Sequence, residues 1–357
     1  MNGVLQDIRA RVLDAHSRRA PLRLRGAGTK DFYGEYCEGE LLDLSPWQGV
    51  TDYEPSELVI TARCGTRLSA IDALLAQHGQ CLPFEPPAFG GDPTIGGIVA
   101  AGLSGPARAR AGAARDFVLG AVLLGADGNL LHFGGQVMKN VAGFDVSRLL
   151  CGSLGILGPI LQVSLKVLPL PRTQQTLRFD LGAGEALTHF RSWNSQPLPI
   201  NACAWADGAA WVRLCGAPAA VSAACRRLGG EQIDPSRAAQ WWQSVRHQTH
   251  PFFREAASLW RVSLPGAAAP LVLPGQGPDS TLVEWSGALR WYAKVPEPAT
   301  IRRLAQTAGG TALHWRGGVA GQRFHPLSAG VLRVHEQLKA KFDPHRIFNR
   351  GRLIATL

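Results

Sequence analysis

The chain has 357 residues, which at about 150 residues per domain predicts two domains, each large enough for its own core. Hydrophobic residues make up 46% and charged residues 18%, a composition that excludes disorder, collagen-like repeats and coiled coil as the main state. The net charge of +10 favours anionic partners, but the basic residues are scattered and form no nucleic-acid motif. We therefore expect no nucleic-acid partner.

The seven cysteines are expected to be reduced thiols. Their number is odd and no two have the C-x-x-C spacing, so we expect neither a disulfide framework nor an iron–sulfur or zinc site made by this chain alone. Residues 1–19 have an amphipathic helix pattern without the apolar segment of a signal peptide. Glycine and polar residues interrupt the most apolar stretch, 149–170, too often for a membrane span. We expect a cytoplasmic protein. Docking at the inner face of the cell membrane, through a complex, stays an open alternative.

Short strands and helices alternate over the first 170 residues. The patterns predict strands at 21–25, 58–62 and 160–168, a helix at 66–79, a hairpin of strands 118–124 and 130–133, and a short helix at 147–150. Later segments predict strands at 209–214 and 289–295 and helices at 218–228, 298–308 and 328–342. The Leu-Pro-Leu-Pro sequence at 168–171 reads as the exit from the first domain, and a second boundary is predicted near Gly317.

Two glycine-rich segments of the first domain are candidate binding elements. The first follows the strand at 21–25, where clustered backbone N–H groups can hold a phosphate; it comprises Arg25, Gly26, Ala27, Gly28, Thr29 and Lys30. The second could lie against a flat ligand and comprises Pro93, Thr94, Ile95, Gly96, Gly97 and, after an isoleucine, a valine and two alanines, Gly102. The alternatives are an ordinary glycine-rich turn for the first segment and tight packing of a helix on a sheet for the second.

Seven motifs in series carry a family resemblance. After R-G-x-G-T at 25–29 and T-I-G-G at 94–97 come R-D-x-V-L-G at 115–120, A-D-G at 126–128, K-N-x-A-G-F-D at 139–145, G-S-x-G-x-L-G at 152–158 and F-D-P-x-x-I-x-N at 342–349. In this order they resemble the FAD-binding flavoprotein superfamily of vanillyl-alcohol oxidase and the D-lactate and glycolate dehydrogenases. Within it, the chain is most similar to the FAD-binding subunits of bacterial glycolate oxidases.

The resemblance implies an α+β fold, with a PCMH-type FAD-binding domain of two α+β subdomains at 1–170, an inserted α+β cap at 171–325 and a returning tail at 326–357. It implies FAD held by both glycine-rich segments and by Arg115, Asp116, Gly155, Ile156, Gly158 and Asn349, with the pyrophosphate on residues 25–30. The main chain of residues 155–158 would hold the adenosine end. Thr29 and Lys30 stand where relatives often carry a tethering histidine, so FAD is expected to be non-covalent.

The implied activity is oxidation of glycolate, a 2-hydroxy acid, to glyoxylate in a complex. The implied partners are a second flavoprotein subunit and an iron–sulfur subunit that takes electrons from the flavin. The cap lacks the histidine-rich G-D-G-N-L-H segment of family dehydrogenases, which leaves open a stand-alone D-2-hydroxy acid (D-lactate) dehydrogenase or a non-catalytic scaffold. The nine cap tryptophans are taken as core or interface residues, with an exposed aromatic surface as the sign of a partner.

Four histidines of the cap are candidates for a chemical role. His314 and His325 are candidates for accepting a substrate proton, against a purely structural hydrogen bond. His247 and His250 have a spacing that could bind metal, but no third ligand is near in sequence, so no metal site is predicted.

Overall fold

The structure is a computed structural model that describes residues 2–135, 145–273, 277, 280–295, 297–318 and 321–357. Two large antiparallel sheets with helices packed on them account for most of these residues, which confirms the predicted α+β class. Most of the motif at 139–145 lies outside the described residues. Its last residue, Asp145, caps a short helix by accepting a hydrogen bond from the backbone N–H of Arg148.

The first 170 residues contain nine strands: β1 Leu22–Arg25, β2 Glu40–Asp43, β3 Val50–Glu54, β4 Val59–Arg63, β5 Gln80–Cys81, β6 Val118–Leu124, β7 Leu130–Gly134, β8 Ile160–Lys166 and β9 Leu168–Pro169. They build a five-stranded sheet of order β3-β4-β8-β6-β7, a parallel pair β1-β2 and a short pair β5-β9. The helices are α1 Asn2–Arg18, α2 Leu68–Gln77, α3 Ile95–Ala101, α4 Arg108–Ala111 and α5 Val146–Leu150. All the elements predicted in this region are present.

Helices α2 and α3 cover one face of the five-stranded sheet. Leu68, Ile71 and Leu75, which the sequence places on one helix face, are buried in α2. Ile95 and Ile98 of α3 are buried in the same core cluster. The apolar side chains of both helices therefore fix them on the sheet, and the start of α3 is held at the edge of this core.

The second half forms an eight-stranded antiparallel sheet of strands β10 Thr173–Asp180, β11 Ile200–Ala206, β12 Ala209–Gly216, β13 Glu231–Ile233, β14 Leu259–Ser263, β15 Thr281–Glu284, β16 Leu289–Ala293 and β17 Thr311–Arg316. Their order in the sheet is β13-β10-β12-β11-β15-β16-β14-β17. The helices of this part are α6 Ala183–Asn194, α7 Pro218–Leu228, α8 Pro235–Arg246, α9 Pro251–Glu255 and α10 Pro298–Thr307. We call this sheet with its helices the cap.

The tail returns to the first part of the chain. Helix α11 spans Ala329–Phe342, and after it Ile347 accepts a hydrogen bond from the backbone N–H of Leu22 at 2.6 Å. Phe348 pairs with Leu22 in a parallel bridge and is fully buried. The tail thus lies beside β1. The limits of 170 and 325 for the cap stay predictions.

The cap tryptophans form core rather than surface. Eight of the nine are buried, and the ninth, Trp241, is half-buried and stacks on Trp211 with 4.2 Å between ring centroids. The expectation that they form an exposed aromatic surface was therefore wrong. A sheet of eight strands needs large side chains to fill the space between it and its helices, and tryptophan supplies the most apolar area per residue.

All seven cysteines are free thiols. No helix among the described residues has both the length and the apolar content needed to cross a membrane.

Candidate cofactor site

A cavity opens where the end of β1, the start of α3, the turn after α5 and the tail meet. Its walls contain residues of both predicted glycine-rich segments and of the G-S-x-G-x-L-G motif at 152–158. The predicted residues that line it are Arg25, Gly26, Ala27, Gly28, Thr29, Lys30, Pro93, Thr94, Gly96, Gly97, Gly155, Gly158 and Asn349. The fold therefore brings together segments that lie more than 300 residues apart in the chain.

The loop after β1 offers unpaired backbone donors to this cavity. None of the backbone N–H groups of residues 26–30 donates a hydrogen bond to any atom that the structure describes. Gly28 has φ of 76°, in the left-handed region that glycine adopts without strain. Backbone N–H groups need acceptors, and a run of them on one loop suits the oxygens of a phosphate. The loop thus has the donor set of an anion site.

The charges around the loop agree with this assignment. Lys30 lines the cavity, and burial lowers its pKa to about 8. Its ammonium group donates to the Thr29 hydroxyl at 3.3 Å and has no carboxylate within 4.0 Å among the described residues. Arg25 pairs with Asp31 at 2.8 Å, and Arg352 from the tail donates to the carbonyl groups of residues 30 and 31. An anion in the cavity would supply the counter-charge that Lys30 lacks.

The start of α3 serves both packing and binding. The Thr94 hydroxyl caps the helix by accepting from the N–H of Gly97 at 3.4 Å. A Cβ at Gly96 would lie 2.5 Å from the Cβ of Cys64, so only glycine lets the helix approach β4 this closely. Ile95 points into the sheet core. Both predicted roles, contact with a ligand and tight packing of a helix on the sheet, are therefore filled by different residues of one helix turn.

Asn349 joins the tail to two walls of the cavity. Its side-chain oxygen accepts from the N–H of Leu24 at 2.7 Å, and its amide donates to the carbonyl of Leu154 at 2.6 Å. Its own N–H donates to the carbonyl of Leu22. Asn349 thus fixes β1 against the 152–158 turn, and the final motif acts in the site through this bridge.

Five predicted cofactor residues do not line the cavity: Ile95, Gly102, Arg115, Asp116 and Ile156. Gly102 ends α3 in the left-handed conformation, and the Asp116 carboxylate accepts from the N–H of Ala113 at 2.8 Å. The carbonyl of Ile156 accepts from the buried ammonium group of Lys339 at 2.7 Å, so its main chain is already used. A contact of these five residues with the cofactor stays a prediction.

Neither candidate histidine lines the cavity. His314 lies on the face of β17 that is turned away from the first domain, where its ring stacks on Trp260 at 4.3 Å and bonds to the Ser258 hydroxyl at 3.0 Å. Burial lowers its pKa. His325 accepts from the N–H of Ala312 at 3.3 Å. Both histidines make structural hydrogen bonds, which was the alternative to a chemical role. A proton-accepting role for either one stays a prediction.

The other pair of histidines is also structural. His247 accepts from the N–H of Ala88 at 3.1 Å, and burial lowers its pKa to about 4. His250 accepts from the N–H of Phe252 at the start of α9. Among the described residues there is no group of three or more His, Cys, Asp or Glu side chains that could hold a metal ion.

Sequence reasoning missed several residues of the cavity wall, including Tyr33, Tyr36, Cys64 and Arg352. Arg352 lies three residues beyond Asn349, outside the final motif, so the motif series carries no signal for it. The aromatic residues carry no motif. Their place in the wall depends on how the loop after β1 folds back under the cap.

Comparison with known proteins agrees with this geometry. The FAD binding domain family matches residues 4–134. Glycolate oxidase subunit GlcE from Escherichia coli (strain K12) is 45% identical over 99% of this chain and 98% of its own length. Glycolate oxidase subunit GlcD from Bacillus subtilis (strain 168) is 32% identical over 44% of this chain and 34% of its own.

Solved structures show the same fold at lower identity. An alkyldihydroxyacetonephosphate synthase superposes with a TM-score of 0.65 at 16% identity, covering 96% of this chain and 74% of its own. The family match and these relatives define an FAD-binding oxidoreductase. The chain belongs to the family of FAD-binding flavoproteins that contains glycolate oxidase subunit GlcE.

The residues present fit FAD as the cofactor. The unpaired N–H groups of the loop after β1 and the uncompensated Lys30 suit a pyrophosphate, and the glycines of α3 leave room for close approach. The family match and the relatives confirm the predicted FAD-binding flavoprotein superfamily and its cofactor, FAD.

Proposed function

We propose that this chain is the FAD-binding subunit of a glycolate oxidase complex that oxidises glycolate to glyoxylate. The observation that carries the proposal is 45% identity to a glycolate oxidase subunit over nearly the whole of both chains. The cavity with its phosphate-type loop supports it from the structure. Bound FAD would supply the acceptor for two electrons and their release one at a time.

The chain's own residues would hold and orient the cofactor. The loop 25–30 would bind the pyrophosphate, Thr94 and Gly97 would contact the cofactor beside α3, and Asn349 would keep the opposite wall in place. None of the described residues offers a histidine that could tether the flavin in this cavity, since its lining contains none. We therefore propose non-covalent binding. Acid precipitation should release FAD into the supernatant, whereas yellow colour in the pellet would contradict this.

The partners are proposed to be a second flavoprotein subunit and an iron–sulfur subunit. GlcE and GlcD are both described as subunits of glycolate oxidase, which supports an assembly of several chains. We place the complex in the cytoplasm, docked at the inner face of the membrane, where the net charge of +10 would favour anionic lipid.

Reconstitution tests this proposal. The isolated chain should be yellow and reduce an artificial acceptor slowly with glycolate, while addition of the two partner subunits should restore turnover and all three should co-purify. Rapid turnover by the isolated monomer would support the stand-alone dehydrogenase instead. A colourless chain that still joins the partners would support the scaffold.

A further inference from the structure

Arg23 of β1 lines the cofactor cavity but belongs to none of the motifs in the sequence. Successive side chains of a strand point to opposite faces, so Arg23 and Arg25 share one face of β1, while Leu22 and Leu24 pack in the core on the other. Arg25 begins the loop with the unpaired N–H groups, and two residues of a strand span about 7 Å. Arg23 therefore lies close to the proposed phosphate loop, on the face of the strand that carries Arg25.

The Arg23 guanidinium has no acceptor among the described residues. None of its N–H groups makes a hydrogen bond there, and no carboxylate of the described chain lies within 4.0 Å of it. Its Nε atom is nevertheless buried. Burial raises the pKa of the neighbouring Cys37 thiol, which therefore stays neutral and supplies no negative charge. A buried charged donor without an acceptor is costly, so Arg23 is a candidate for binding an anionic ligand.

The charges of the cavity wall favour an anion at this place. The described wall contains one acidic residue, Asp31, which pairs with Arg25 at 2.8 Å. It contains four cationic residues: Arg23, Arg25, Lys30 and Arg352. The wall thus has three more positive than negative side chains, and a ligand with negative charge would offset this surplus.

Arg23 is also the cation of this wall whose donors the protein does not use. Arg352 donates to three carbonyl groups of the segment 30–35, at 3.2, 2.8 and 3.0 Å, and so holds the loop in its shape. Lys30 donates to the Thr29 hydroxyl. Among the described residues, the planar guanidinium of Arg23 keeps its full set of N–H groups for a ligand.

We propose that Arg23 binds the pyrophosphate of FAD, together with the loop at 25–30. In oxidised FAD the two phosphates carry the only negative charges, so they are the groups that can compensate Arg23. A guanidinium can donate two parallel hydrogen bonds to phosphate oxygens, and such charge-assisted bonds are stronger than those of neutral backbone N–H groups. This inference rests on the proposed function for the identity of the cofactor.

Titration of the flavin-depleted full chain with FAD and with ADP tests this, with Kd measured by calorimetry at one salt concentration. Arg23→Gln should raise Kd at least tenfold for both ligands, because ADP contains the same pyrophosphate. Arg23→Lys keeps the charge without the planar fork and should raise Kd less. Arg63→Gln is the matched control, since Arg63 is also a half-buried arginine on a strand of the first domain but does not line the cavity. Its Kd values should equal those of wild type.

Thermal unfolding of the flavin-depleted proteins separates binding from a structural role. Without FAD, Arg23→Gln should be at least as stable as wild type, because it removes a buried charged donor that lacks an acceptor. Added FAD should then raise its Tm less than that of wild type. A clear loss of stability without FAD would assign Arg23 to the fold and overturn the proposal.

The binding outcomes also separate this inference from the proposed cofactor role. If wild type binds FAD and Arg23→Gln binds both ligands with unchanged Kd, Arg23 is no anchor of the pyrophosphate, and the cofactor role remains. Weaker binding of FAD with unchanged binding of ADP would place Arg23 at another part of the cofactor, which also overturns the proposal. A wild-type chain that binds ADP through Arg23 but does not bind FAD keeps the anion site and overturns the cofactor role.

Discussion

At the scale of single residues, Gly28 decides whether the loop after β1 can face an anion. We expect Gly28→Glu to abolish FAD retention while the chain stays folded, because a carboxylate would stand among the unpaired N–H groups and repel phosphate. FAD content per chain, read from the visible spectrum, checks this. At φ of 76° any side chain strains the backbone, and a Cβ would meet the Arg25 guanidinium at 2.3 Å, so Gly28→Ala is the control. Equal FAD loss in both variants would assign the effect to strain instead of charge.

Glu284 links stability to pH through its burial. Its pKa is raised from 4.5 to about 7, so the folded state holds a proton that the unfolded state has released. Protonated Glu284 contributes fully to the free energy of unfolding below about pH 4.5. This contribution is lost as the pH rises to about 7. Glu284→Gln, which keeps an acceptor for Trp291, should therefore be more stable than wild type by about 3 kcal/mol at pH 8 and nearly equal at pH 4.

Urea unfolding at both pH values measures this difference. Glu231→Gln is the control, since Glu231 is an exposed glutamate on the edge strand β13 of the cap sheet and its substitution should leave the pH dependence of wild type unchanged. A constant difference between Glu284→Gln and wild type from pH 4 to pH 8 would contradict the assignment.

At the scale of elements, the buried pair of Lys339 and Asp343 joins α11 to the end of the chain. The two side chains are fully buried and 2.7 Å apart. Lys339 also donates to the carbonyl groups of Ile156 and Phe348, and Asp343 accepts the N–H groups of Ile347 and Phe348. This network holds Asn349 at the cofactor cavity.

Lys339→Met should destabilise the protein by about 3–5 kcal/mol, because it leaves Asp343 buried without its cation. FAD should also dissociate more readily. Adding Asp343→Asn should recover part of the loss. Lys341→Met, an exposed lysine in the same helix, should change stability by less than about 1 kcal/mol. Unfolding in urea monitored by tryptophan fluorescence measures the stability of all three variants. Equal losses of stability in Lys339→Met and Lys341→Met would show that the buried pair has no such role.

At the scale of the whole molecule, polar contacts join the cap to the first domain. The Arg213 guanidinium of β12 pairs with Glu85 at 2.7 Å, with side chains 7% and 20% exposed. The other Glu85 oxygen accepts from the N–H of Ala107, and the indole of Trp285 donates to the carbonyl of Gly105. These contacts hold the cap sheet against the 85–107 segment of the first domain.

Arg213→Met should lower the free energy of unfolding by about 2 kcal/mol and weaken the coupling between cap and first domain, since Glu85 loses its buried partner. Fluorescence of the cap tryptophans and loss of the flavin spectrum should then no longer coincide in thermal unfolding. Arg178→Met removes exposed pairs of the same sheet and should cost less than about 1 kcal/mol. Coincident transitions in Arg213→Met would show that this ion pair does not couple the two parts.

Local patterns were enough to predict most elements named from the sequence. Apolar periodicity placed α2 and β8, and proline and glycine marked the bounds of α7 and the hairpin β6-β7. These elements depend on residues close in sequence, which is why the sequence alone determines them. That residues 25–30, 94–97 and Asn349 share one site was implied by the family resemblance of the motif series.

Only the tertiary structure decided which side chains face one another. Strand β17 points Trp315 toward the first domain and His314 away from it, a choice set by register and by what packs on each face. Leu24 and Asn349 meet across 325 residues, and Arg261 meets Glu284 and Trp291 only because three strands of the cap sheet align. Such contacts follow from the burial of whole faces, a collective property of the folded chain that no short segment encodes.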